Sequence, residues 1–176
     1  FSPTYFVSRI AILVSAQSSL KALSDASGLA VATAAGTTSA IAIKRYEESR
    51  GIDVKDFALR DHQQAFDALA NGRAVAVVLD DILLASFVAV SGTPGKFRFL
   101  EETLGAEGYG AMLRTGDAPF AELVSTTFGE LMRSGEAERL YEQWFTRPIP
   151  PKGFNLQLPA TPALKALFQK PSSAPL

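Results

Sequence analysis

The sequence contains no cysteine and a single histidine. The first absence removes disulfide frameworks and thiolate metal sites, and it leaves the redox compartment open. The second removes the usual two-histidine metal sites, so no metal or other cofactor is expected. No apolar run approaches the roughly 18 residues that a membrane-spanning helix needs. The longest candidate, Phe6 to Ala16, is broken by Ser8 and Arg9. Charge of one sign is also missing: 17 basic against 18 acidic residues give a net charge of −1. With no basic stripe in view, nucleic acid is not an expected partner. The sequence begins at Phe1 without a methionine or signal peptide, and the expectation is that something upstream was removed.

What remains is an ordinary globular composition with a clear alternation. "YFVSRIAILV" over residues 5–14 reads as a strand. Ser18 to Ala26 fits a short helix capped by Ser18 or Ser19 and ended by Gly28. Leu29–Thr33 and Asp56–Arg60 read as strands, and "AVAVVL" over 74–79 is the clearest buried strand. Between and after them, Ser39–Arg50, Gln63–Ala70 and Asp81–Val90 read as helices. In the first, Ile41, Ala42 and Tyr46 recur at helical spacing and Gly51 stands at the C′ position. Phe97–Leu100 is a further strand. Strands alternating with helices predict a parallel sheet with helices on both faces, an α/β fold.

The rest of the sequence changes character. Tyr109–Arg114 reads as a strand. A long amphipathic helix then spans Asp117 to Arg133, with Asp117 as cap and Pro119 in its first turn. Ala137–Phe145 is a second helix and carries the only Trp, Trp144. After a proline-held segment, Pro162–Gln169 is a last helix, and the tail "KPSSAPL" reads as disordered.

In parallel α/β sheets, ligands bind at the carboxyl ends of the strands. That rule selects three turns: Gly36–Ser39, Asp61–His62 and Asp80–Asp81. In "LAVATAAGTTSAIAIKRYEESRG" the seam Gly36-Thr37-Thr38-Ser39 joins strand to helix. A helix start offers unpaired amides and partial positive charge, which suit a carboxylate or phosphate. Plain N-capping by Thr or Ser explains the same residues without a ligand. The seam lacks the lysine of a P-loop. His62 reads either as a surface or capping residue or as a donor to an anionic group. Asp80-Asp81 reads either as acids favourable to a helix start or as a counter-ion for an ammonium. In the second reading Asp80 ends the strand and faces the cleft, and Asp81 caps the helix. Ser39, His62 and Asp80 can be written as a triad, but no Gly-x-Ser-x-Gly elbow is present, and catalysis is not expected. Together the three turns suit a small polar ligand resembling an amino acid.

Several segments resemble a known family: "AGTTSA", "DHQQAFDALANGRAVAVVLDDILLA", "GYGAMLRTGDAPF", "SGEAERLYEQWF" and "PIPPKGFNLQLPATPALKALF". They are similar, in order and over nearly the whole length, to periplasmic solute-binding proteins of polar amino acid ABC importers, in particular the glutamate/aspartate-binding branch. The resemblance implies a type II periplasmic-binding-protein lobe, a parallel-rich sheet flanked by helices. Two such lobes would close on a ligand. Residues 6–107 would form the complete second lobe, and residues 1–5 and 108–176 the hinge and C-terminal remnant of the first.

The resemblance also assigns roles. Thr38, with Thr37 beside it, would hold the ligand α-carboxylate, Asp80 the α-ammonium and His62 the side-chain carboxylate. L-glutamate or L-aspartate would be the ligand, bound weakly, and the membrane permease of an ABC importer the partner. The N-terminal part of the first lobe, with its arginine clamp, is missing from this sequence, and Arg9 does not match that clamp. Phe120, Leu123, Phe128, Leu131, Leu140 and Trp144 would then be exposed, so a homo-oligomer or helix-swapped dimer is expected. The alternatives implied by the same fold are a ligand-sensing or self-associating module and, less favoured, an enzyme resembling cyclohexadienyl dehydratases.

Overall fold

The structure is a computed structural model and describes residues 1–172. The expected disorder of the tail concerns residues 173–176, which lie outside the described residues, and Lys170–Ser172, where the Ser172 carbonyl accepts from the Thr4 amide. The chain divides into two compact units, Arg9–Ala106 and Phe1–Ser8 with Glu107–Leu176.

Five strands form one sheet in the order β3-β2-β4-β1-β5: β1 Phe6–Ser15, β2 Ala30–Ala34, β3 Lys55–Leu59, β4 Ala76–Asp80 and β5 Phe97–Tyr109. β2 pairs in parallel with β3, from Ala30↔Lys55 to Ala34↔Leu59, and in parallel with β4 at Val31↔Ala76 and Ala32↔Val77. These three strands are the ones separated by helices, and a crossover helix returns the chain to the same end of the sheet. β1 does not follow that rule. It runs antiparallel to β4, from Ile10↔Asp80 to Val14↔Ala76, so the sheet is mixed rather than parallel throughout.

Three helices cover the unit Arg9–Ala106: α1 Thr38–Arg50, α2 His62–Ala70 and α3 Asp81–Val90. Strand residues alternate between the two faces, and the core divides accordingly. Ile10, Ile12, Val31, Ala76 and Val78 pack with Ala42 and Ile43 of α1. Ala11, Leu13, Ala32, Val77 and Leu79 pack with Phe66 and Leu69 of α2 and Leu84 of α3. The inward residue of α1 is Ile43, 1% exposed, while Ile41 is 52% exposed. Of the expected face, Ala42 and Tyr46 do pack on this core, whereas Ile41 does not and Ile43 takes its place.

Between β1 and β2, the expected helix shrinks to a single 3₁₀ turn, Leu23–Ala26. β5 holds this region in place. Arg98 donates through Nη2 to the carbonyls of Ser18 and Leu20, and Glu102 accepts from the Leu23 amide and the Tyr46 hydroxyl, each at 2.8 Å. Burial pushes the Tyr46 phenol above its ordinary pKa, and the bond to Glu102 adds to the rise.

The other unit holds α4 Ala118–Arg133, α5 Glu136–Phe145 and α6 Pro162–Gln169. Phe6 stacks on Phe145 and lies against Tyr109 and Tyr141, while Leu164, Leu167 and Phe168 are buried. β5 ends at Tyr109, so the strand expected over Tyr109–Arg114 ends where it was expected to begin. Of the apolar residues expected in solvent, Phe120, Leu123 and Trp144 are exposed. Phe128, Leu131 and Leu140 are half-buried, and Phe128 stacks on Tyr5 with ring centroids 5.6 Å apart.

Candidate functional site

The three selected turns all leave the carboxyl ends of neighbouring parallel strands. With β2 between β3 and β4, and the three in parallel, their tips lie along one edge of the sheet. Helix α1 leaves β2 toward one face, whereas α2 and α3 leave β3 and β4 toward the other. Adjacent strands whose outgoing helices diverge in this way open a crevice at their tips. A side chain helps to hold the opening. Past the pair Ala32↔Val77, the fully buried Thr33 hydroxyl donates to the Val78 carbonyl at 3.0 Å.

At the β2 tip, Gly36 has φ of 73°, a left-handed conformation that favours glycine. A Cβ built there would meet nothing within 4 Å, so backbone conformation rather than crowding requires the glycine. Thr37 is the N-cap of α1. Its hydroxyl donates to the Ala34 carbonyl at 2.8 Å and accepts from the Ala40 amide at 3.4 Å. The capping reading therefore accounts for the Thr37 side chain. Thr38 is different: it is exposed and opens the helix. It stands at the helix start, where the backbone amides bear partial positive charge.

At the β3 tip, Asp61 is the N-cap of α2 and accepts from the Gln64 amide at 2.8 Å. His62 is the first helical residue and half-buried. It heads a helix on the face opposite α1, so it approaches the crevice only across the tip of β2.

At the β4 tip, Asp80 is half-buried and continues the alternation of Ala76 and Val78 on the α1 face. It occupies the N-cap position of α3 with no capping hydrogen bond from its side chain. Asp81 was expected to cap the helix and does not. It is the first residue of α3, 2% exposed, and its carboxylate accepts from the Arg9 amide at 3.2 Å and Arg9 Nε at 2.8 Å. Arg9 escaped sequence reasoning because 72 residues separate it from Asp81. A charged residue inside an apolar strand was the one available signal.

Thr38 and Asp80 thus share the α1 side of the strand-tip edge, one strand apart, with His62 on the other side of β2. The groups on this edge are a helix start, a carboxylate, an imidazole and a guanidinium paired to a buried acid. They can bind both charges of a zwitterion. Among the described residues no cluster of His, Asp and Glu could hold a metal ion, and no helix is long and apolar enough to cross a membrane.

The profile described as "ABC transporter, phosphonate, periplasmic substrate-binding protein" matches residues 5–153. The chain belongs to the periplasmic substrate-binding proteins of ABC transporters. It is 35% identical over 176 residues to the glutamate/aspartate import solute-binding protein of Salmonella typhimurium, covering all of this chain and 58% of that protein. An ancestral arginine-binding protein bound to glutamine has a similar structure, with a TM-score of 0.65 and 31% identity over 82% of this chain and 63% of the other. The ligand-binding core of GluR0 from Nostoc punctiforme, in complex with L-glutamate, has the same TM-score at 29% identity, over 82% of this chain and 64% of that one. These substrate-binding proteins share the mixed sheet flanked by helices, a type II fold, and this chain spans about three fifths of their length. Amino acid ligands recur among them.

Proposed function

We propose that this chain captures an acidic amino acid, L-glutamate or L-aspartate, in the periplasm for the membrane permease of an ABC importer, without catalysis. In this reading residues 6–107 are the second ligand-binding lobe, and residues 1–5 and 108–176 belong to the hinge and first lobe. The observation that carries it is the placement of Thr38 and Asp80 at the tips of adjacent parallel strands β2 and β4. There the α1 helix start, with Thr37 as its cap, receives the α-carboxylate, Asp80 receives the α-ammonium and His62 takes the side-chain carboxylate. The name of the Salmonella relative supports the choice of acidic ligands.

A binding cleft usually buries most of a small ligand's surface, and one lobe offers one wall. The chain as it stands therefore binds L-glutamate at roughly millimolar affinity or weaker, since most of the ligand stays hydrated. Amide NMR during titration with L-glutamate checks this: the signals of Thr38 and Asp80 shift in the native chain and not in Asp80→Asn. Micromolar affinity in calorimetry, or unmoved signals at both positions, refutes the reading.

Phe120, Leu123 and Trp144 are 48%, 62% and 45% exposed. Their burial is worth about 1.5–3 kcal/mol for each large side chain that becomes fully covered, so the chain self-associates or exchanges its C-terminal helices with a second copy. Light scattering that finds a stable monomer at micromolar concentration counts against this. The likeness to the GluR0 core favours one other reading, a ligand-sensing module of the same fold. Binding of the ligand-loaded chain to permease vesicles separates the two.

A further inference from the structure

We infer that Arg9 and Asp81 together are positioning residues for the ligand's ammonium group: they fix the turn from β4 into α3, so that Asp80 and not its neighbour presents a carboxylate on the α1 face. This inference rests on the amino-acid-binding reading above. Neither residue of the pair touches the ligand in it.

The turn carries two acids in a row, and local chemistry does not tell them apart. A helix start favours a carboxylate through its unpaired amides and their partial positive charge. Asp80, at the N-cap position of α3, therefore has a local reason to fold back on the helix, yet its side chain makes no capping hydrogen bond. The other face of the sheet explains the difference. β1 runs antiparallel to β4 with Ile10 opposite Asp80, which sets Arg9 opposite Asp81. Alternation puts Arg9 with Ala11 and Leu13 on the face that α2 and α3 cover. Asp80 continues Ala76 and Val78 on the α1 face. The ion pair and Asp80 thus stand back to back across the sheet.

Past the end of β4, the contact between the two strands is made by a side chain. The Asp81 carboxylate accepts from the Arg9 amide at 3.2 Å and from Arg9 Nε at 2.8 Å. The acid is 3% exposed and the arginine side chain 42%. An acid held at two points, by backbone and by guanidinium, cannot swing away without leaving a buried charge unpaired, which is strongly destabilising. The first residue of α3 is therefore fixed in rotation, and with it the peptide that joins it to Asp80. A rotation that let Asp80 cap α3 would pull Asp81 off Arg9. Arg9 also neutralises the Asp81 charge, so the negative charge that the turn offers on the α1 face is that of Asp80.

The test compares L-glutamate with glutarate, which has the same five-carbon dicarboxylate chain and no ammonium. The full chain and the variants Arg9→Gln, Arg9→Lys, Asp81→Ala and Arg9→Gln/Asp81→Ala are titrated with each ligand at fixed ionic strength, while the Thr38 and Asp80 amides are followed by NMR. Arg9→Gln and Asp81→Ala are each expected to weaken L-glutamate about tenfold, the loss of one hydrogen bond to a charged group, and to leave glutarate within about twofold. The double variant loses no more than either single one, because both residues act through one contact. Arg9→Lys keeps the charge without the Nε contact; it falls between the native chain and Arg9→Gln, and it carries the comparison if Arg9→Gln does not fold. A lower urea midpoint with unchanged L-glutamate affinity, or equal losses for the two ligands, would mean that the pair only supports the fold. Either result overturns the inference while leaving the binding reading intact. If L-glutamate moves neither amide in the native chain, the binding reading fails and this inference fails with it.

Discussion

Thr33→Val tests whether a single buried hydroxyl holds the strand tips as they are. Thr33 is fully buried and donates to the Val78 carbonyl at 3.0 Å, beyond the backbone pair Ala32↔Val77. Valine keeps the shape of the side chain and removes the donor. A buried carbonyl left without its partner costs about 1–3 kcal/mol. The methyl that replaces the hydroxyl returns about 0.8 kcal/mol of apolar burial, so the net loss is about 0.2–2 kcal/mol. With a urea m-value of about 2 kcal/mol/M, the midpoint falls by roughly 0.1–1 M. The probe matters, because the only Trp, Trp144, lies in the unit formed by Phe1–Ser8 and Glu107–Leu176. Tyr46 is the tyrosine of the unit Arg9–Ala106. Amide NMR signals of residues Arg9–Ala106 followed through the urea titration are therefore the appropriate readout. Thr33→Ser is the control: it keeps the donor and loses a methyl, for a cost of about 0.8 kcal/mol. A Thr33→Val midpoint indistinguishable from the native one, with a larger loss in Thr33→Ser, would falsify the assignment of stability to the hydroxyl.

Two further outcomes follow from the same edge and from β5. Gly36→Ala forces a side chain into a backbone with φ of 73° and should cost about 1–2 kcal/mol; because the site around it is open, the protein still folds, and amide NMR should show the change confined to the start of α1. Burial raises the folded-state pKa of the Tyr46 phenol above its ordinary value of 10.0, and the bond to Glu102 adds to the rise. The native state therefore holds this proton more tightly than the unfolded chain. The stability contributed is complete below the unfolded value and declines as pH rises past it and through the folded value. Urea midpoints should fall above pH 10.0, and the fall should shrink in Tyr46→Phe; an equal decline in both proteins would place its source elsewhere.

Local chemistry was enough for much of this protein. Thr37 and Asp117 were legible as caps, because capping depends on the next three residues and little else, whereas the cap of α2 is Asp61 and not His62. Gly51 closes α1 in a left-handed conformation for the same local reason. The alternation over β2 to β4 was also legible, since a buried parallel strand and its crossover helix each impose a distinct period. That alternation points to the turns at Thr38, His62 and Asp80.

Tertiary structure decided the rest, and in each case the partner lies far along the chain. β1 could have added to the sheet in either direction, because its apolar run is compatible with both; pairing with β4 made it antiparallel and brought Arg9 to the strand tips. Asp81 looked like a helix cap in its local context, yet its carboxylate takes Arg9. The choice of Ile43 over Ile41 on α1 was made by the sheet face beneath it, and the Glu102 bonds to Leu23 and Tyr46 join segments that no local pattern relates. Short-range hydrogen bonds and periodicity are encoded within a few residues, whereas strand direction and buried ion pairs arise only when distant segments compete for the same buried surface.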